Sequence, residues 1–147
     1  MSVDVTVETR VERPRDEVAG FAMDPANDTR WITALDSSRT LTEGELGVGT
    51  RVERVASFLG KRMDYVNEIV EYEPPARLAM RSVKAPFPLT VEYEFDDAGE
   101  TATLARIHTA GEGGGFYSLT APVLARMVRR GVERDLAELK RLMESEH

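Results

Sequence analysis

A few polar side chains fall on strand faces that are otherwise apolar, and chemistry in this chain would be found there. Val52, Arg54, Ala56 and Phe58 alternate along one stretch, Met63, Tyr65, Asn67 and Ile69 along the next, and Val91, Tyr93 and Phe95 along a third. Residues two apart in a strand share a face. On that reading Arg54, Tyr65, Asn67 and Tyr93 point into an apolar interior, where a few polar groups orient a ligand. Arg54 would hold a carboxylate or an enolate oxygen. Tyr65 or Tyr93 would hydrogen-bond a carbonyl or serve as an acid, which makes Arg54, Tyr65 and Tyr93 the catalytic candidates. The bland alternative puts Arg54 on the outer face or at the rim, and a bulge would exchange the faces.

Other chemistries lack their residues. Histidine occurs only at His108 and His147, cysteine is absent, and there is no HExxH pattern, so neither metal nor thiolate chemistry is expected. His108 follows Ile107, which is read as inward, so the imidazole is expected to face out. No serine sits in Gly-x-Ser-x-Gly. The run Gly111-Glu112-Gly113-Gly114-Gly115 lacks the lysine-serine/threonine ending of a phosphate loop. No cofactor is expected. A net charge of −7 argues against nucleic acid, which needs a basic face. The absence of cysteine fits a reducing cytoplasm. The start of the chain does not read as a signal peptide, and no apolar segment is long enough for stable membrane insertion.

The chain of 147 residues is expected to be one domain, large enough for a real core. Val3, Val5, Val7 and Val11 share a face with Thr9, as in a half-buried first strand. Pro14 suits the first turn of a short helix carrying Val18, Phe21 and Ala22. Asp24-Pro25 reads as a second cap and start, ending near Trp31. Strands are predicted near Ile32–Leu41 and over Thr50–Phe58, Lys61–Tyr72, Arg77–Val83, Leu89–Asp96 and Thr101–Thr109. Turns lie at Gly60, Pro74-Pro75 and Asp97-Ala98-Gly99, so the strands form an antiparallel meander.

A long amphipathic helix follows, from about Phe116 to Glu144. Its stripe includes Phe116, Val123, Leu124, Met127, Val128, Val132, Leu136 and Leu139. Only a curved sheet is large enough to cover it. Arg129–Glu133, Arg134–Glu138 and Lys140–Glu144 are expected as i,i+4 pairs on a solvated face. Gly131 beside the stripe signals close packing on the sheet or, as the weaker reading, room for a ligand.

This order resembles the helix-grip fold of the START-like (SRPBCC) superfamily, and within it the polyketide cyclase/dehydrase type 2 group. The residues that carry the likeness are Val7–Val11, Arg13–Val18 with Phe21, Met23-Asp24-Pro25 with Trp31, Gly47–Arg51, and Val70–Pro75 with Arg77-Leu78. The resemblance implies an α+β domain with two short helices after the first strand and a mostly apolar cavity between a curved antiparallel sheet and the last helix. The expected lining is Trp31, Arg54, Phe58, Tyr65, Asn67, Met80, Tyr93, Phe95, Phe116, Val123 and Met127. Lys84–Leu89 and Gly111–Phe116 are expected as opposite lips of its mouth. The leading function is binding of a small hydrophobic or amphipathic molecule, such as a polyketide, lipid or aromatic metabolite. The alternatives are a polyketide cyclase/dehydrase-type enzyme and a protein-interaction module, and a homodimer is compatible with all three. Fold alone does not choose among them.

Overall fold

The computed structural model describes residues 3–58, 60–85, 88–111 and 121–145. The elements are β1 (Val3–Val11), α1 (Arg15–Ala22), a 3₁₀ turn (Pro25–Asn27), α2 (Asp28–Trp31), β2 (Leu35–Thr40), β3 (Arg51–Phe58), β4 (Lys61–Glu73), β5 (Arg77–Lys84), β6 (Leu89–Asp97), β7 (Thr103–Gly111) and α3 (Ala121–Ser145). The seven strands form one antiparallel sheet in the order β1-β7-β6-β5-β4-β3-β2. Residues 41–50 join β2 to β3, and from β3 to β7 the meander needs only short turns, with Gly60 and Gly99 at positive φ where a side chain would be strained. β1 then pairs with β7, so α1 and α2 carry the chain across the sheet from one edge to the other.

Pro14 stands at the N-cap of α1, one residue ahead of the helix, and Asp16 and Glu17 occupy the positive first turn. Asp24 caps the 3₁₀ turn, its Oδ1 accepting from the Ala26 N–H at 3.0 Å. Asn27 Nδ2 donates to Phe21 O at 3.1 Å and ties that turn back to α1. The register shifts between β4 and β5 at Val66/Asn67 and again at Ile69/Glu71. Such bulges increase local twist and bend the sheet toward α3.

The core lies between the concave face and α3. Ile69, Leu78, Met80, Val91, Tyr93, Phe95 and Ile107 from the sheet meet Val132, Leu136, Leu139 and Met143 from α3, with Val18 and Trp31 closing one side. α3 runs alongside β1. Arg129 donates to Thr6 O at 3.0 Å, Lys140 to Arg10 O at 2.7 Å, and Glu144 accepts from the Glu12 N–H at 2.9 Å. These contacts correct the expectation of a purely solvated outer face. Lys140 and Glu144 do pair, at 2.7 Å. Glu138 is held by Arg141 rather than Arg134, because the i,i+3 geometry gives a two-bond fork. Pro122 lies in the first turn of α3 as described. Phe116 lies outside the described residues.

Candidate functional site

The strand faces follow the alternation. Arg54, Asn67 and Tyr93 are buried on the concave side, and Tyr65 is half-buried beside them. β3 and β4 pair without a bulge, setting Arg54 against Tyr65 and Val52 against Asn67. The Arg54 guanidinium is not free for a ligand, however. Its Nη2 donates to Asp28 Oδ2 at 3.0 Å and to Tyr93 Oη at 3.4 Å, and its Nε donates to the same Asp28 oxygen at 3.3 Å. Ser38 Oγ donates to Asp28 Oδ2 at 2.7 Å. Asp28 is only 1% exposed and Arg54 4%. Burial pulls the Arg54 pKa down, but the Tyr93 and Asp28 oxygens outweigh it and hold it above the ordinary value. Burial pushes the Tyr93 phenol up to about 12, against the opposing pull of Arg54. Tyr93 thus stays a neutral hydrogen-bonding group, poorly suited to give up a proton near neutrality. Its ring meets Trp31 edge-on, with centroids 5.6 Å apart.

The open space lies elsewhere, along the N-terminal half of α3. A cavity of about 180 Å³ is walled by Val3, Ile32, Ala34, Leu35, Ala56, Met63, Leu89, Leu124, Val128 and Val132, with Tyr65, Thr109 and Asp135 as its polar side chains. Gly131 borders this gap, and a Cβ built there meets nothing within 4 Å. This corrects the close-packing reading of Gly131 and favours the reading of room for a ligand. Further along the same helix, Leu136 and Leu139 are fully buried and fill the space.

Asp135 is the functional candidate that sequence reasoning missed. Its Oδ1 accepts from the Thr33 N–H at 2.9 Å and from the Thr33 hydroxyl at 3.0 Å. Burial raises its pKa to about 6, although both Thr33 bonds and the nearby Arg134 and Arg54 charges favour the carboxylate. A carboxyl that exchanges its proton near neutrality therefore lines the same apolar cavity as the Tyr65 phenol. Asp135 occupies a stripe position, three residues after Val132 and four before Leu139. An acid within an apolar stripe was the signal available.

Of the expected lining, Tyr65 faces the cavity, and Met127 lines a groove just outside it. Arg54 and Tyr93 belong to the buried polar cluster, and Trp31, Met80 and Phe95 to the packed core. Asn67 is buried two residues along β4 from Tyr65, and neither its oxygen nor its nitrogen has a hydrogen-bond partner among the described residues. Val123 is 38% exposed, so its place in the lining is corrected: it sits one residue off the stripe, on the outer side of α3. The Phe58 side chain and Phe116 lie outside what is described. So do residues 86–87 and 112–120, which hold most of the two expected lips. Their described ends are neighbours rather than opposites, since Leu89 and Gly111 are directly paired on β6 and β7 and both line the cavity. His108 lies on the outer face, as expected, with Nε2 2.7 Å from Asp4 Oδ1. No cluster of metal-ligating side chains occurs among the described residues. None of their helices is long and apolar enough to cross a membrane.

The model of one protein family, "Polyketide cyclase / dehydrase and lipid transport", matches residues 2–144. The chain belongs to this family. Solved structures carry the same helix-grip fold. A START superfamily protein from Mycobacterium smegmatis superposes with a TM-score of 0.83 at 11% identity, covering 97% of both chains. A Thermus thermophilus protein gives 0.81 at 20% identity, again over 97% of each. The Zhui aromatase/cyclase of a Streptomyces species gives 0.78 at 18% identity, over 98% of this chain and 94% of that one. At these identities the likeness concerns the fold. No functionally curated protein matches the chain.

Proposed function

We propose that this family member binds a small hydrophobic or amphipathic molecule in the cavity between the sheet and α3. The observation that carries the reading is the cavity itself. At about 180 Å³ it exceeds by roughly tenfold the ~10–15 Å³ that one water needs. Its walls are mostly apolar, and a mid-helix glycine borders it at a cost of about 1 kcal/mol against alanine. The lipid and polyketide chemistry in the family's description agrees with an apolar occupant. The test is native mass spectrometry of freshly purified protein, together with thermal shift using decanol, on wild type and Gly131→Leu. Decanol should stabilise the wild type, and the leucine should fill the space and abolish the effect. No shift with apolar ligands in the wild type would sink the reading.

A specific observation supports an enzyme of the cyclase/dehydrase type as a second reading: Asp135 and Tyr65 line one mostly apolar cavity. With a pKa of about 6, the Asp135 carboxylate can accept a proton from a carbon next to a carbonyl while the Tyr65 hydroxyl donates to that carbonyl's oxygen. The two readings separate on Tyr65→Phe. A binding protein should lose about 0.5–1.5 kcal/mol of affinity, the net value of one hydrogen bond. An enzyme should lose turnover by about 10²–10⁴-fold with little change in affinity.

A further inference from the structure

The cavity continues outward. A groove of about 740 Å³ lies between α3 and the start of β2, lined by Thr33, Ser57, Met127, Arg130 and Arg134. Ala34, Gly131 and Asp135 line both spaces, so the groove is the outer continuation of the cavity past Gly131.

Two arginines in this groove, Arg130 and Arg134, face a single carboxylate, Asp135. Arg130 and Arg134 are exposed and form no ion pair among the described residues, and exposed Arg126 continues their row at the same spacing. Most other arginines among the described residues are engaged: Arg13, Arg39, Arg51, Arg62, Arg77, Arg106 and Arg141 all have carboxylate partners, while exposed Arg81, on β5, has none. With 26 acidic against 19 basic residues, partners are in surplus. Like charges four apart weaken a helix. Two neighbouring arginines at the mouth of an apolar cavity, with no ion pair among the described residues of an acidic chain, therefore point to an anion from outside the chain.

We infer that cavity and groove form one site for a free single-chain amphiphile, its apolar body inside past Gly131 and its anionic head, a carboxylate or phosphate, against Arg130 and Arg134. This inference rests on the reading of the cavity as a ligand site and adds the class of ligand. The groups around the head are Arg130, Arg134 and Asp135 of α3, Thr33 ahead of β2 and Ser57 of β3. The Ser57 hydroxyl is occupied by Asp36 Oδ2 at 2.9 Å, and Asp135 Oδ1 is occupied by Thr33. The arginines are left to meet the head. The Asp135 carboxylate repels it and favours a head held on the arginine side of the groove.

The experiment is calorimetric titration of the full chain at about pH 8, where Asp135 is ionised, with decanoate, decyl phosphate and decanol. The proteins are wild type, the Arg130→Gln/Arg134→Gln double variant, and Arg126→Gln as a charge control outside the groove. Both positions in the double variant are exposed, so the fold is expected to survive; circular dichroism checks it. The double variant should bind decanoate and decyl phosphate roughly 5–30-fold more weakly, with decanol changed by less than about 2-fold. Salt at about 0.5 M should mimic the double variant. Equal losses for all three ligands, or none for the anions, overturn the head-group assignment while leaving the cavity reading intact. If decanol also fails to bind wild type, the cavity reading falls too. Charge-dependent uptake from anionic phospholipid vesicles, without binding of decanoate or decyl phosphate, overturns the assignment to a free single-chain ligand.

Discussion

Replacing Asp135 by asparagine tests the energetics of the site directly. The carboxyl sits at a pKa of about 6 in the folded protein against an ordinary value of 3.8. The unfolded chain therefore releases this proton more easily than the folded one. Between about pH 4 and pH 6 the folded state holds more protons, and stability falls as pH rises through that window. Above it the cost is fully present. A shift of about two units corresponds to at most about 3 kcal/mol; partial solvent access at the groove makes about 1–3 kcal/mol the expected range. Asparagine keeps an oxygen for both Thr33 donors and removes the charge. Urea denaturation of wild type and Asp135→Asn at several pH values gives the difference free of the other titrating groups. The variant should be more stable by about 1–3 kcal/mol at pH 7–8, with the gain shrinking toward zero near pH 4. A gain independent of pH, or a loss at pH 8, would refute the claim that burial strains this carboxylate.

Gly131→Ala should stabilise the fold by roughly 0.5–1 kcal/mol in urea denaturation, because alanine is the better helix former and its Cβ meets no neighbour. Gly111→Ala should destabilise by more than about 1 kcal/mol, because its Cβ would stand 2.6 Å from the Pro88 carbonyl oxygen and the paired ends of β6 and β7 would have to separate; faster hydrogen exchange of the Leu89 amide would report it. Asp28→Ala should cost about 3–5 kcal/mol by leaving the Arg54 charge buried and unpaired, and adding Arg54→Met should recover much of that loss.

The inward placement of Arg54, Asn67 and Tyr93 was legible in the sequence because β3 and β4 pair without a bulge over these residues, so the period of two survives. The register shifts fall between β4 and β5 and, at Leu35/Ser37, between β2 and β3, and they leave that alternation undisturbed. The helix-grip order was legible for a similar reason: one long apolar stripe after a run of short strands has few ways to be covered. Asp28 was not legible. It sits in a four-residue helix, too short for any periodicity, and becomes Arg54's partner only when the 3₁₀ turn delivers it to the sheet. Asp135 was hidden differently, as one acid inside a stripe read for its apolar members. The position of the cavity was beyond pattern reading, since it depends on which stripe positions are filled. Gly131 leaves a gap, and Leu136 and Leu139, a turn or two later, close it.

The separation of the two polar groups has a consequence for what the site can do. Arg54 would be the natural anchor for a ligand oxygen, yet Asp28 already neutralises it and Tyr93 takes a further donor. A ligand oxygen would have to displace bonds formed in a nearly dry interior, where a charge left unpaired is costly. The cluster is therefore satisfied from within, and it fixes α2 on the sheet: Asp28 from α2, Ser38 from β2, Arg54 from β3 and Tyr93 from β6 converge there. Tyr65 connects this rigid centre to the cavity, facing the open space while standing directly across from Arg54 in the strand register. Asp135 faces the same space from α3, its pKa raised by burial to about 6. A neutral apolar body needs neither group ionised and is tolerated by both. A carbonyl placed between them would meet a hydroxyl on the sheet side and a base on the helix side. The same cavity thus accommodates a passive ligand and a reactive one, and the difference rests on whether a ligand brings an acidic C–H to Asp135.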